Sequence, residues 1–198
     1  MNVTNLSAQE ALKKLKEGND SYIHEHYTKE VHIRDIVDLD DHGQHPFATV
    51  ITCSDSRVPP ELIFNCGLGE IFTIRTAGNV VSDFEIGSAE YAAEHLHTNL
   101  IVVMGHLHCG AVASAVEEHG EVGGYLGHIM HEIEPSVEEA RRCAHCGEEI
   151  AELAENYNIE HTVSILKNNE AIKSCPEVLV VGAKYNTHTG VVEFFENM

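Results

Sequence analysis

The sequence predicts a doubly wound α/β fold in one domain, on three observations. Four β-branched apolar runs, Phe47 to Cys53, Ile71 to Thr76, Leu100 to Gly105 and Val178 to Ala183, lack strict alternation, as expected of parallel strands covered on both faces. Helical spacing fills the intervals between them, and a β-α-β-α order implies a mainly parallel sheet. The chain has 198 residues and 43% hydrophobic content, enough to bury one core of ordinary size.

Each element has its own signal. Ser7-Ala8-Gln9-Glu10 fits a capping box, and Ala11, Leu12 and Leu15 continue a helix that Gly18-Asn19 is expected to close. Residues 24–46 are polar, His-rich and weakly periodic, which predicts an irregular arm ending in the turn Gly43-Gln44-His45-Pro46. Residues 1–46 are thus an N-terminal helix and arm, of a kind that can wrap a partner subunit, and 47–198 the α/β core. Within that core, helices are expected at about 82–97, 110–118, 128–155 and 158–168. Val191 to Phe195, after the turn at Thr189-Gly190, predicts a short antiparallel edge strand.

Composition excludes several functions. With 32 Asp and Glu against 12 Lys and Arg, the formal charge of -20 repels phosphate backbones and anionic headgroups. Neither nucleic acid nor a membrane is an expected partner. No apolar stretch reaches the roughly 20 residues of a membrane span, and the first residues lack the apolar core of a signal peptide. A cytoplasmic location is expected. Six cysteines in that setting read as metal ligands or free thiols rather than a disulfide framework.

In a doubly wound sheet the ligand site lies beyond the carboxyl ends of the strands. There the first run carries Cys53, Asp55 and Arg57, and the third carries His106 and Cys109 in "MGHLHCGA". A cysteine after a strand is by itself commonly a small hydrophobe, and His-x-x-Cys occurs by chance. Two thiolates and an imidazole at neighbouring strand ends, with Asp55 and Arg57 in alternation beside one of them, instead predict a tetrahedral metal such as Zn2+ with its fourth position open.

"CSDSR", with "HLHC" following, resembles the signature of the β-class carbonic anhydrases. The resemblance extends through "EALKKLKEGN", "GEIFTIRTAGNVV", "GSAEYAAEHL" and "VVGAKYNTHTGVVEFF". It implies one Zn2+ per chain on Cys53, His106 and Cys109, with Asp55 and Arg57 as the catalytic dyad of reversible CO2 hydration. Gln44 would donate to a bicarbonate oxygen. Phe72, Ala77 and Tyr91 would form an apolar wall for CO2, Tyr91 reaching in from a neighbouring subunit, and Gly110 would offer a backbone N–H. The family builds its site at a subunit interface, which implies a homodimer or a higher homo-oligomer. Val50 and Val181 stand where a closed-prone subclass has a tryptophan and a tyrosine, and only Arg75 of that inhibitory pocket remains. A plant-like, open site is therefore expected, with Arg57 keeping Asp55 off the metal.

Two alternatives keep the scaffold: a COS or CS2 hydrolase, and a zinc-binding protein without catalysis. The intact "CSDSR" argues against the first, and the retained dyad against the second. The turn Ala77-Gly78-Asn79 suits close backbone approach, since glycine tolerates positive φ. Cys143-Ala144-His145-Cys146 lacks a second pair at knuckle spacing and reads as incidental thiols on a helix, with Cys66 and Cys175 equally unassigned.

Overall fold

The structure is a computed structural model that describes residues 6–29, 32–118, 122–144 and 147–195. Five strands, β1 (Ala48–Cys53), β2 (Ile71–Thr76), β3 (Leu100–His106), β4 (Leu179–Tyr185) and β5 (Val192–Phe195), form one sheet in the order β2-β1-β3-β4-β5. The first four are parallel and β5 joins β4 antiparallel, as the sequence predicts. After β2 the chain passes back over β1 to make β3. The carboxyl ends of β1 and β3 therefore flank the point where strand order reverses, the usual place for a ligand crevice.

Every residue of β1 and β3 is buried, because helices lie on both sheet faces. On one face α1 (Ala8–Ile23) seats Ala11, Leu12 and Leu15 against Val50, Val102 and Val181. On the other, α4 (Asp83–Glu94), α7 (Gly147–Asn168) and the short α8 (Glu170–Lys173) seat Ala89, Ile159, Val163 and Ile172 against Ile51, Ile101 and Val103. The strand threonines are satisfied: Thr52 Oγ1 donates to the Met104 carbonyl at 2.8 Å, and the Thr49 and Thr98 hydroxyls pair at 2.9 Å. A third cluster, from α5 (Gly110–Glu118), α6 (Gly124–Cys143) and α7, packs beneath the strand ends around Cys53 and Cys109.

Three sequence expectations need correction. The Ser7 capping box is present, with Ser7 N donating to Glu10 Oε2 at 2.9 Å, but Gly18-Asn19 does not close the helix, which runs to Ile23. Gly18 is there because a Cβ would overlap the Phe64 carbonyl oxygen. Asn19 is buried, donating to the carbonyls of Ile63 and Gly190 and accepting from Val192 N. The pair docks the helix instead of ending it. Gly18→Ala should thus lower stability by about 1–3 kcal/mol through overpacking, although an alanine in a free helix is favourable by ~1 kcal/mol; urea unfolding measures the sign directly.

The arm, second, is not irregular throughout, since Ile33–His42 forms α2. Asp35 caps its start by accepting from His32 N at 3.0 Å, and Ile33, Ile36 and Val37 make a short apolar stripe. Set among four aspartates in ten residues, that stripe is too brief to stand out. All three apolar residues are exposed, Ile33 at 77%. Third, the helices expected at 128–155 and 158–168 are instead α6 and α7, which break at Ala144, whose ψ of 155° is extended. His145 and Cys146 lie outside the described residues; Cys143 is an exposed free thiol at the end of α6. Two short helical pieces, α3 (Pro60–Ile63) and a 3-10 turn at Ala77–Asn79, complete the connections.

Candidate metal centre

Cys53 ends β1, His106 ends β3, and Cys109 follows three residues later at the start of α5. Among the described residues these three form one group whose ligand atoms lie within 4.8 Å of one another, and all are buried. Each is held by its own element. Cys53 Sγ accepts from the N–H groups of Asp55 at 3.4 Å and Gly78 at 3.3 Å. Cys109 caps α5, its carbonyl accepting from Ala113 N at 2.9 Å and its sulfur accepting from the amides of Ala111 and Val112. A thiolate at a helix N-terminus is stabilised by these free donors and by the helix dipole.

His106 Nδ1 lies 2.9 Å from the Leu107 carbonyl, so Nδ1 carries the proton and Nε2 keeps its lone pair. That Nε2 is buried with no hydrogen-bond partner. The two sulfurs lie 4.0 Å apart and titrate as a pair. Cys53 is pulled down, chiefly by the hydrogen bond from Cys109, and Cys109 is pushed up by sharing that proton and by burial. Two sulfurs that cannot both ionise unaided, facing an orphaned imidazole nitrogen, are the donor set a metal ion satisfies.

Beside this group Asp55 and Arg57 form a two-pronged pair, Nε to Oδ1 at 3.1 Å and Nη2 to Oδ2 at 2.8 Å. The Arg57 backbone N–H adds a third donor to Oδ1 at 2.9 Å. The guanidinium holds the Asp55 carboxyl down to about 2, so it is anionic at any working pH. Oδ2 lies 4.0 Å from His106 Nε2, facing the metal group without joining it. Arg57 Nη2 also donates to the His108 carbonyl at 3.2 Å, tying the β1 loop to the β3 loop.

Arg75 has a part that sequence reasoning missed. Its Nε donates to the Cys53 carbonyl at 3.1 Å and its Nη2 to the Asp55 carbonyl at 2.7 Å, so it fixes the backbone of the ligand loop from behind. Register carries the signal, since Arg75 pairs with Thr52 on the neighbouring strand. Glu155, also missed, is a buried carboxylate on α7 that accepts the Cys109 N–H at 3.1 Å. Val50 and Val181 are plain members of the core.

The remaining predicted residues divide. Ala77 follows β2 and lines a cleft beside the Gly78 turn, with Val80 and Ile129 forming the apolar part of its wall and Glu85, His131 and Glu132 part of the polar remainder. Gly110 begins α5 directly after Cys109. Phe72 and Tyr91 touch each other, ring centroids 6.2 Å apart, but Phe72 lies four residues before Thr76, which pairs with Cys53. That is about 13 Å along a strand. Gln44 is exposed ahead of β1, a strand about 17 Å long that ends at Cys53. Phe72 thus stands toward the amino end of β2 and Gln44 ahead of β1, whereas Cys53 ends its strand at the carboxyl side.

A carbonic anhydrase family model matches residues 48–192, the whole stretch from β1 into β5. Carbonic anhydrase 2 of Mycobacterium tuberculosis is 38% identical over 162 residues, 79% of this chain and 75% of that protein. A carbonic anhydrase of Mycolicibacterium smegmatis is 44% identical over 98 residues, 48% of each chain. Among solved structures, the β-carbonic anhydrase CcaA is 29% identical with a TM-score of 0.70, covering 94% of this chain and 86% of that one. The β-carbonic anhydrase CafA of Aspergillus fumigatus is 27% identical with a TM-score of 0.71, covering 95% and 90%. Strand order, donor set and relatives converge, and the chain belongs to the β-class carbonic anhydrase family.

Proposed function

We propose that this chain uses one Zn2+, held by Cys53, His106 and Cys109, to hydrate CO2 reversibly to bicarbonate and a proton. The observation that carries the reading is the buried, partnerless His106 Nε2 gathered with two sulfurs next to an arginine-held carboxylate. Zn2+ in such a set supplies a Lewis acid that brings the pKa of water from 15.7 toward about 7.

The chain's own groups do the positioning. Asp55 stays anionic and offers a lone pair of Oδ2 to the hydrogen of the attacking oxygen, which aims that oxygen's lone pair at the CO2 carbon. Arg57 keeps the carboxylate from swinging onto the metal, the open arrangement the sequence predicts, and Arg75 holds the loop that carries it. The apolar part of the cleft at Ala77, with Val80 and Ile129, suits CO2, which has no net dipole, while charged bicarbonate leaves toward water. Gln44, Phe72 and Tyr91 stand at the far end of the sheet, so a contribution from them comes from a second copy. Exposed Ile33, Ile36, Val37 and Phe84, with Tyr91 at 47%, offer apolar surface for such pairing. A homodimer or higher homo-oligomer completes the reading.

No helix among the described residues is long and apolar enough to cross a membrane. The described cysteines are all free, which fits a reducing cytoplasm, and burial pushes the Cys66 thiol up to about 12, leaving it unreactive. Stopped-flow CO2 hydration with zinc-replete protein at about pH 8 tests the activity, near the range of a metal-polarised water. Rapid turnover that a chelator abolishes is expected. Protein with one zinc per chain and no turnover there or at higher pH would move the reading to COS or CS2 hydrolysis, or to zinc binding without catalysis.

A further inference from the structure

One face of α7 carries three polar side chains at i, i+3 and i+7, Glu155, Asn158 and Thr162, and none is more than 5% exposed. Each grips a loop of the metal centre. Glu155 Oε1 accepts the Cys109 N–H at 3.1 Å. Asn158 Nδ2 donates to the Gly78 carbonyl at 2.6 Å, and Thr162 Oγ1 donates to the Asn79 carbonyl at 3.4 Å. Gly78 is the residue whose own N–H points at Cys53 Sγ.

Packing alone does not account for this face. Asn158 Oδ1 has no hydrogen-bond partner, and Glu155 Oε2 is met by a buried ion pair with Lys184 Nζ at 3.0 Å. Partly satisfied polar groups and buried ion pairs are poor stabilisers compared with apolar side chains of the same size. What the face does hold is an awkward backbone. Gly78 and Asn79 both have positive φ, 72° and 47°, and the second is an L-residue in the left-handed region. A Cβ at Gly78 would meet Ile133 Cδ1 at 2.8 Å, so the turn is pressed tightly between helices.

We propose that this face of α7 is a positioning element for both thiolate ligands: Asn158 fixes the Gly78 amide on the Cys53 sulfur, and Glu155 fixes the start of α5 that presents Cys109. The inference rests on the zinc reading above. Groups just outside a metal's ligands orient them and tune their donor strength. An amide donating to a thiolate withdraws charge from the sulfur and holds it in place, so losing that amide leaves the sulfur richer in charge, which lowers the charge-transfer energy, but no longer held toward the metal, which weakens binding. Glu155 and Asn158 are positioning residues and touch neither substrate nor metal.

The test compares wild type with Asn158→Ala and with Asn158→Leu, both of which remove the donor. Zinc affinity is read by chelator competition, and the sulfur-to-metal charge-transfer band is read in Co2+-loaded protein. Both variants should bind zinc about 10–100-fold more weakly and move the band to longer wavelength. Glu155→Leu should lose affinity by a similar factor, and Glu155→Gln, which keeps an acceptor for the Cys109 N–H, should recover most of it. Folded variants with wild-type affinity and an unshifted band would overturn the positioning role. Should the Asn158 variants not fold, cadmium-113-loaded wild type decides: a coupling between the metal and the Gly78 amide proton is expected, and its absence refutes the contact. Wild type that shows no charge-transfer band with Co2+ would instead sink the metal reading itself.

Discussion

Cys53→Ser is expected to lose zinc and turnover together. Cys53 Sγ is set at the end of β1 with two backbone amides, of Asp55 and Gly78, directed at it, an arrangement shaped for a large, charged sulfur. A serine hydroxyl reaches less far and does not ionise near neutral pH, so it offers a poor ligand and leaves those amides facing a weak acceptor. His106 and Cys109 alone would hold the metal, and the loss of affinity should exceed the roughly 10–100-fold that removal of an outer partner costs. Metal analysis of the purified variant beside its stopped-flow rate gives the answer. A variant with full zinc and full rate would remove Cys53 from the ligand set.

Much of this site was legible because it sits where local signals are strongest. The apolar runs that end at Cys53 and His106 mark parallel strands, and the reversal of strand order makes their ends neighbours, so three ligands scattered over 56 positions gather at one point. Residues whose work depends on tertiary approach were not legible. Gly18-Asn19 carries the signature of a helix end, and only the nearby Phe64 carbonyl shows why glycine is required inside the helix. Glu155 and Asn158 look like solvated helix residues in "AENYNIEH", and the expected gap at residues 156 and 157 hid the fact that they share a face. The stripe Ile33, Ile36, Val37 stays exposed among the described residues, so nothing local in the sequence announces it. Gln44 shows the same limit from another side: a motif match suggests a role for it, but only the fold shows that it lies ahead of β1, at the opposite end of that strand from Cys53.

Asp55→Asn is expected to keep zinc yet slow hydration by about 10^2-fold, the scale on which misplacing a reacting group acts. The reason lies in Arg57, which has donors only. In wild type it takes one lone pair from each carboxylate oxygen and leaves a further lone pair of Oδ2 on the side of the metal group, 4.0 Å from His106 Nε2. An asparagine must turn its single oxygen to the guanidinium, which directs the NH2 group into the site, a donor where the attacking oxygen needs an acceptor. Proton linkage gives a second signature. With its folded value held near 2, below the roughly 3.9 of an unfolded aspartate, Asp55 contributes stability that is fully present above pH ~4 and lost as the pH falls through ~2. The wild-type rate profile between neutral and alkaline pH therefore owes nothing to Asp55 titration, and the variant's profile should keep its midpoint while its plateau drops. Zinc retained, plateau lowered and midpoint unmoved together separate an orienting carboxylate from a ligand; normal turnover in the variant would take that role away from Asp55.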